Sequence, residues 1–133
     1  MTAWAQSLIR ISNYEVETLQ KRLAEIAERR GGAEMKLAVL DAEAEGERAR
    51  ARADAEAGMM LGAYLAGWKN RRAAAEGALT EIEAEEAGAL TGAFEALKKF
   101  EHVAEATRLE TLVARAKRET AAFDEMGLRR RAV

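Results

Sequence analysis

One heptad register runs unbroken through the first third of this 133-residue chain. From Ile9 to Ala44, positions spaced alternately by three and four residues are mostly apolar, whereas Glu, Lys and Arg crowd the positions between them. This spacing places a narrow apolar seam on one face of a helix, as in a coiled coil. The seam consists of Ile9, Ser12, Val16, Leu19, Leu23, Ile26, Arg30, Ala33, Leu37, Leu40 and Ala44. Such a helix needs a partner helix to cover its seam.

The composition permits very long helices. There is no proline, and charged residues make up 33% of the chain whereas aromatic residues make up 5%. Proline removes a backbone donor and clashes with the preceding turn, so its absence lets helices exceed the ordinary ~11 residues. The pair Gly31 and Gly32 leaves the register in phase, so we expect a weak point there and not the end of a helix.

A second seam occupies the carboxy-terminal half of the chain. It consists of Leu79, Ile82, Leu90, Ala93, Leu97, Phe100 and Ala104, followed by Leu109, Leu112, Ala116, Glu119, Phe123 and Met126. The heptad spacing is interrupted before Leu90 and before Leu109. Such interruptions, called stutters, locally relax a supercoil. Between the two seams lies a glycine-dense segment without charges, residues 58–68, where we expect the chain to reverse.

The sequence therefore predicts an all-α fold, a long antiparallel two-helix coiled-coil hairpin that forms a single domain over residues 1–133. We expect helix one over about 3–57, a turn at about 58–62 and helix two over about 63–127, with Gly127 as a left-handed cap. Each arm would be ~80–95 Å long at 1.5 Å per residue. In this register Val16 faces the neighbourhood of Leu109, and Ile26 that of Leu97.

The side chains that enzymes use are sparse. His102 is the only histidine and there is no cysteine, so the sequence offers neither a histidine pair nor a thiolate for a metal ion, and no His-based triad. The carboxylates alternate with alanine along an open helix, without a pocket to shift their pKa values. No glycine-rich phosphate loop is present. We predict no enzymatic activity, no catalytic residues, no metal site and no cofactor.

Charge and hydropathy narrow the class of partner to other proteins. The formal net charge of −2 gives no overall attraction to nucleic acid. The tail is locally basic at Arg129, Arg130 and Arg131, but it lacks the aromatic residues that stack on bases. No stretch reaches about 18 uncharged apolar residues, and the amino terminus lacks a signal-peptide pattern. The absence of cysteine fits a reducing compartment. We expect an intracellular protein without a transmembrane segment.

Two groups of apolar residues do not belong to the seams and are candidates for partner binding. The first lies in the turn region and contains Met59, Met60, Leu61, Tyr64, Leu65 and Trp68. These residues either cap the core of the hairpin or form a docking surface, since Met, Tyr and Trp are common at interfaces. The second contains Trp4, Leu8 and Ile11, near the chain ends. There the alternatives are frayed ends and a partner that grips both ends.

Several stretches resemble the FliJ family, the small coiled-coil components of the bacterial flagellar type III export apparatus. Residues 7–26, SLIRISNYEVETLQKRLAEI, are similar to the opening helix of that family. Residues 98–105, KKFEHVAE, resemble its Lys-Lys-aromatic-Glu pattern, and the carboxy-terminal pattern is met by Arg118, Glu119, Ala122, Asp124, Glu125, Arg129 and Arg130. The likeness covers nearly the whole chain in length and layout. In many relatives we expect another turn or two of helix between Arg108 and Arg118, and this chain departs from that expectation.

This resemblance implies a non-catalytic stalk that regulates the flagellar export ATPase, like the coiled coil of the rotary ATPase γ subunit. The implied partners are the hexameric export ATPase FliI, the export gate protein FlhA and the export chaperones that the stalk escorts. By position, the ATPase end would comprise Trp4, Leu8, Ile11, Phe123, Met126, Arg129 and Arg130, and the gate would meet Tyr64, Leu65 and Trp68. The implied location is the cytoplasm, peripheral to the cytoplasmic face of the inner membrane.

Two other interpretations are open at this point. The chain could be the equivalent stalk of an injectisome type III secretion system. It could also be a generic coiled-coil oligomerisation or scaffold module that dimerises through its leftover apolar surface.

Overall fold

A computed structural model describes the backbone of residues 3–132 and the side chains of residues 3–128. Two helices, α1 (Ala3–Ala53) and α2 (Ala55–Ala132), include every described residue except Asp54. They pack against each other as an all-α helical hairpin, which confirms the predicted fold class. No strand is present between residues 3 and 132.

The chain reverses at Asp54, several residues before the expected turn. Asp54 caps α2, because its carboxylate accepts a hydrogen bond from the Glu56 amide at 3.0 Å. Its own amide donates to the Arg50 carbonyl at 2.9 Å, and its carbonyl accepts from the Gly58 amide at 3.0 Å. Residues 58–62 are therefore helical, and α2 also runs through Gly127 without a left-handed cap. These helix bounds differ from those expected from the sequence.

Gly58 lies close to the α1 backbone across this reversal. A Cβ added at Gly58 would lie 3.2 Å from the backbone oxygen of Ala51, whereas a Cβ added at Gly62 would meet nothing within 4 Å. The two glycines lie one helical turn apart in α2, so they form a matched pair for substitution.

We expect Gly62→Ala to raise the free energy of unfolding by about 0.5–1 kcal/mol, because alanine has the higher helix propensity. Gly58→Ala has the same propensity advantage but crowds a backbone oxygen, so it should stabilise less than Gly62→Ala or should destabilise. Urea denaturation followed by far-ultraviolet circular dichroism compares the two variants. Equal stabilisation at both positions would contradict the close approach at Gly58.

The contacts divide the hairpin into two compact units. The terminal unit combines residues 1–19 with residues 92–133, and the turn unit comprises residues 20–91. Each unit contains an α1 segment and an α2 segment.

In the turn unit, both helices contribute a seam with regular spacing. All of the α1 positions predicted for this unit, from Leu23 to Ala44, are buried or half-buried, which confirms them. The α2 seam steps alternately by four and three residues through Leu61, Leu65, Trp68, Arg72, Ala75, Leu79, Ile82, Glu86 and Ala89. The expected stutter before Leu90 is absent, since Ala89 takes the inner position and Leu90 is exposed.

In the core of the terminal unit, the most deeply buried side chains are small ones: Ala5, Ser12, Ala96 and Thr107. From α1 the core receives Ala5, Ile9, Ser12, Val16 and Leu19, and from α2 it receives Ala93, Ala96, Phe100, Val103 and Thr107. Ser12 and Thr107 are buried, and the Thr107 hydroxyl donates to the Ala104 carbonyl at 2.9 Å. The predicted inner positions Leu97 and Leu109 are exposed here, so those two assignments were wrong.

Ion pairs along one flank show the register in each unit. In the terminal unit Lys99 Nζ lies 3.7 Å from Glu15 Oε2. In the turn unit Arg22 and Arg29 both reach Glu85, at 3.1 and 2.9 Å. Val16 therefore does not face Leu109, and Ile26 does not face Leu97. The reversal at Asp54 shifts the α2 partners of α1 toward lower residue numbers.

Candidate partner-binding surfaces

In the terminal unit, α2 continues past the start of α1. The Glu15–Lys99 pair sets a register that places Ala3, the first residue of α1, beside the neighbourhood of Thr111. Every residue from Leu112 to Met126 is exposed. We call residues 112–126 the overhang, because this part of α2 extends beyond the described part of α1.

An exposed apolar stripe runs along the overhang and begins just before it. The overhang stripe consists of Leu109, Leu112, Ala116, Phe123 and Met126, with Glu119 at the remaining position. Phe123, at 76% exposure, is the most exposed of its large side chains. The spacing had predicted these residues as a seam against α1, and the structure contradicts that prediction.

The stripe faces away from α1 because it is out of phase with the α2 seam. The last residue of the α2 seam is Thr107. If the seam continued with the same heptad spacing, its next equivalent positions would be Ala114 and Ala121. Leu109 lies two residues after Thr107, which is ~200° around the helix. The expected break before Leu109 was the sign of this change of face.

A second exposed apolar surface lies on α1. Trp4 is 66% exposed, Ile11 is also exposed and Leu8 is half-buried. Their spacing of four and three residues puts them on one face of α1. Leu8 lies one heptad before Glu15 on α1, and Ala106 lies one heptad after Lys99 on α2. These two residues therefore occupy the same flank as the Glu15–Lys99 ion pair. The flank that carries ion pairs elsewhere is therefore apolar here.

The residues predicted for the ATPase end thus form two groups. Trp4, Leu8 and Ile11 lie together on α1, and Phe123 and Met126 lie together on the overhang stripe. Arg129 and Arg130 belong to α2, but their side chains lie outside the described residues. The inference from sequence missed three further exposed residues on α2, Leu109, Leu112 and Val113.

In the turn region, the residues predicted to meet the gate are engaged within the hairpin. Tyr64, Leu65 and Trp68 are all half-buried. Trp68 Nε1 donates to the Leu40 carbonyl at 2.7 Å, which ties α2 to α1. Arginines lie near both rings, with Arg48 and Arg72 5.9 Å from the Trp68 centroid and Arg71 5.7 Å from the Tyr64 centroid. This packing favours the alternative in which these residues cap the core of the hairpin.

The free apolar surface of the turn region comes from two methionines. Met59 is 86% exposed, and the neighbouring Met60 is also exposed. Methionine side chains are flexible and polarisable, so they adapt to varied partner surfaces. These two residues, more than Tyr64, Leu65 and Trp68, are available for contact with a partner.

An ion pair braces the helices beside Trp68. Arg72 donates to both carboxylate oxygens of Asp41, at 2.8 and 3.2 Å, and also pairs with Glu76. The hydrogen bond from Arg72 lowers the pKa of the Asp41 carboxyl and raises the pKa of the guanidinium. Because both groups remain charged at neutral pH, the cluster acts as a structural brace.

Over the same described residues, no group of three or more His, Asp or Glu side chains could hold a metal ion. Nor does the described part of either helix contain a span long and apolar enough to cross a membrane.

Comparison with known proteins gives one family. Two curated proteins of Caulobacter vibrioides, each named "Flagellar FliJ protein", are 52% identical to this chain over 136 residues; one is from strain NA1000 / CB15N and the other from strain ATCC 19089 / CIP 103742 / CB 15. The alignments cover 100% of this chain and 98% of each relative. No family model matches the chain, and no solved structure matches it. Identity at this level over the full length establishes that the chain belongs to the FliJ family of flagellar proteins.

Proposed function

We propose that this protein is a non-catalytic stalk that regulates the flagellar type III export ATPase, and that its terminal unit binds the ATPase. The family supports a role in flagellar export. The observation that carries the ATPase end is the overhang stripe, whose large side chains Leu109, Leu112, Phe123 and Met126 are all exposed. An exposed apolar surface of this kind marks a protein interaction site.

The placement of the apolar residues favours a partner that surrounds the terminal unit. Trp4 and Ile11 lie on α1, whereas the overhang stripe lies on the face of α2 that points away from α1. A flat partner surface would cover only one of these two groups. The wall of a central hole in a hexameric ATPase can contact both, and Arg129 and Arg130 would follow at the end of the inserted helix.

Replacing exposed residues in each group tests the ATPase end. We expect the pair Trp4→Ala and Ile11→Ala, and separately the pair Phe123→Ala and Met126→Ala, to weaken binding to the export ATPase about 10- to 100-fold, since large apolar anchors dominate interface energies. Titration calorimetry with the purified ATPase measures the affinity, and an ATP hydrolysis assay measures the stimulation.

The matched control is the pair Met35→Ala and Val39→Ala, because both side chains are exposed and lie in the turn unit. This control should bind the ATPase as the natural chain does, and circular dichroism should show unchanged helicity in all three variants. Natural affinity in both terminal-unit variants would rule out the terminal unit as the ATPase end.

We propose that the turn region contacts the export gate protein, with Met59 and Met60 as the exposed part of a surface that includes Tyr64, Leu65 and Trp68. Met59→Ala with Met60→Ala should weaken gate binding about tenfold, because it removes two adaptable side chains without disturbing the Trp68–Leu40 hydrogen bond. Trp68→Phe serves as the comparison, since it removes the indole donor and keeps an aromatic ring at this position. Gate affinity unchanged by either substitution would exclude the turn region.

We also propose that this protein escorts export chaperones and that it lies at the cytoplasmic face of the inner membrane. Both are supported by the family resemblance. Cell fractionation with and without the gate protein tests the location, and the protein should leave the membrane fraction when the gate protein is missing. The relatives are named flagellar, which favours the flagellar system over an injectisome.

A further inference from the structure

We infer that the overhang stripe also binds a second copy of itself, in antiparallel orientation. The terminal unit carries this inference through three features: the symmetry of the stripe, the charges at its centre and the face that it occupies. The inference does not depend on the proposed ATPase role.

The stripe has the same pattern of large apolar side chains in both directions, so two antiparallel copies can match position by position. If two overhangs run antiparallel about a centre between Lys117 and Arg118, Leu109 lies opposite Met126 of the second copy and Leu112 lies opposite Phe123. The two central positions, Ala116 and Glu119, then lie opposite each other. The stripe positions alternate by three and four residues, which is the spacing that helices need to pack knobs into holes. Each large side chain thus meets another large apolar side chain.

The centre of the stripe has charges that suit this pairing. Glu119 lies at a stripe position, and Arg115 Nε lies 3.3 Å from it within the same helix, with both side chains well exposed. In the antiparallel pair, each Glu119 comes beside Arg115 of the other copy, so the glutamate retains an arginine partner when the stripe is covered. A polar residue at such a core position sets the register of a coiled coil.

The hairpin itself leaves room for this pairing. The overhang stripe points away from α1, and residues 112–126 are exposed throughout. A single helix of this length is only marginally stable in water without tertiary packing, so covering its apolar face stabilises it. Because the paired segment is short, we expect a weak dimer that appears only at high protein concentration.

The pairing has a direct consequence for partner binding. Phe123 and Met126 lie in the dimer contact, and they also belong to the surface proposed for the ATPase. At concentrations where the dimer forms, self-association would therefore compete with the ATPase for the overhang. A failure of ATPase binding would leave the dimer intact, so the two proposals are separable.

Sedimentation equilibrium of the full chain tests the dimer. From about 1 µM to about 500 µM, the mass should rise from that of the 14.6 kDa monomer toward twice that value. Leu112→Ala should raise the dimer dissociation constant about 100-fold, because both copies lose the side chain. The matched control is Leu128→Ala, since Leu128 is also exposed on α2 but lies off the stripe.

Glu119→Leu provides a test that misfolding cannot mimic. It fills the centre of the stripe with an apolar side chain, so the dissociation constant should fall about tenfold or more. A monomer mass over the whole concentration range would overturn the inference. So would a dimer that Leu112→Ala and Leu128→Ala weaken equally, or one that Glu119→Leu leaves unchanged.

Cross-linking tests the orientation, and the absence of natural cysteine makes the experiment clean. Antiparallel pairing brings residue 115 of one copy near residue 122 of the other, and both positions flank the stripe. An equimolar mixture of Arg115→Cys and Ala122→Cys should therefore form a cross-linked heterodimer with a short bismaleimide, at a higher yield than either variant alone. Equal or higher yields from the single variants would exclude the antiparallel arrangement.

Discussion

Replacing Ile26 with alanine should lower the free energy of unfolding by about 2–5 kcal/mol. Ile26 is 1% exposed and has the largest fully buried side chain of the described residues. It lies in the α1 seam of the turn unit, where truncation leaves a cavity that the surrounding helices fill only in part. Because a pair of helices has a thin core, one such residue accounts for a large share of the stability.

Chemical denaturation of three variants measures this effect. Ile26→Val should cost only about 0.5–1.5 kcal/mol, and Ile26→Ala should cost clearly more. Met35→Ala is the control, since Met35 is 65% exposed on the same helix and its loss should change stability by less than about 0.5 kcal/mol. An Ile26→Ala variant as stable as Met35→Ala would show that Ile26 does not belong to the core.

Replacing the ion pair between Arg30 and Glu86 with two leucines should stabilise the turn unit. Both residues occupy seam positions, and Arg30 Nη1 lies 2.6 Å from Glu86 Oε1. Arg30 Nε is buried and makes no hydrogen bond among the described residues, although the Glu34 carboxylate lies 3.7 Å away. Replacing a buried pair with apolar side chains often stabilises by 1–4 kcal/mol. Since Arg30 is 40% exposed and Glu86 25%, water screens the pair, so we expect about 1–2 kcal/mol.

The single substitution Glu86→Leu should have the opposite sign. It leaves the partly buried Arg30 guanidinium without its partner across the hairpin, so the free energy of unfolding should fall by about 1–3 kcal/mol. Urea denaturation of the single and double variants gives both values. A double variant less stable than the natural chain would mean that the charges contribute more than the leucine packing that replaces them.

The α1 seam could be predicted from the sequence because its period is unbroken, and each predicted position from Ile9 to Ala44 is buried or half-buried. The α2 seam was predicted less well, since large residues such as Leu90 and Leu97 were placed inside where the structure has Ala89 and Ala96. Position in the register, not side-chain size, decides which α2 residues face α1. Ion pairs between the helices mark that register, and their partners cannot be identified before the turn is placed.

The turn itself escaped prediction for a local reason. Glycines suggested residues 58–62, but the reversal needs only one non-helical residue, Asp54, and an aspartate among alanines and charges carries little signal. Among the candidate site residues, Trp4, Ile11, Phe123 and Met126 were predicted as a partner surface, and the structure places all four in exposed positions. Leu109 and Leu112 were assigned to the core because the two helices were expected to have similar lengths, so that α1 would cover these residues.

The reversal at Asp54 divides the described chain into two helices of unequal length. Helix α1 has 51 residues and α2 has 78, so the reversal point determines which α2 residues lie beside α1. Deleting one heptad from the amino-terminal start of α1 would bare ~10 Å more of α2 and leave every remaining layer in phase. The length of the first helix therefore sets how much of α2 has no partner helix, without altering the packed interior.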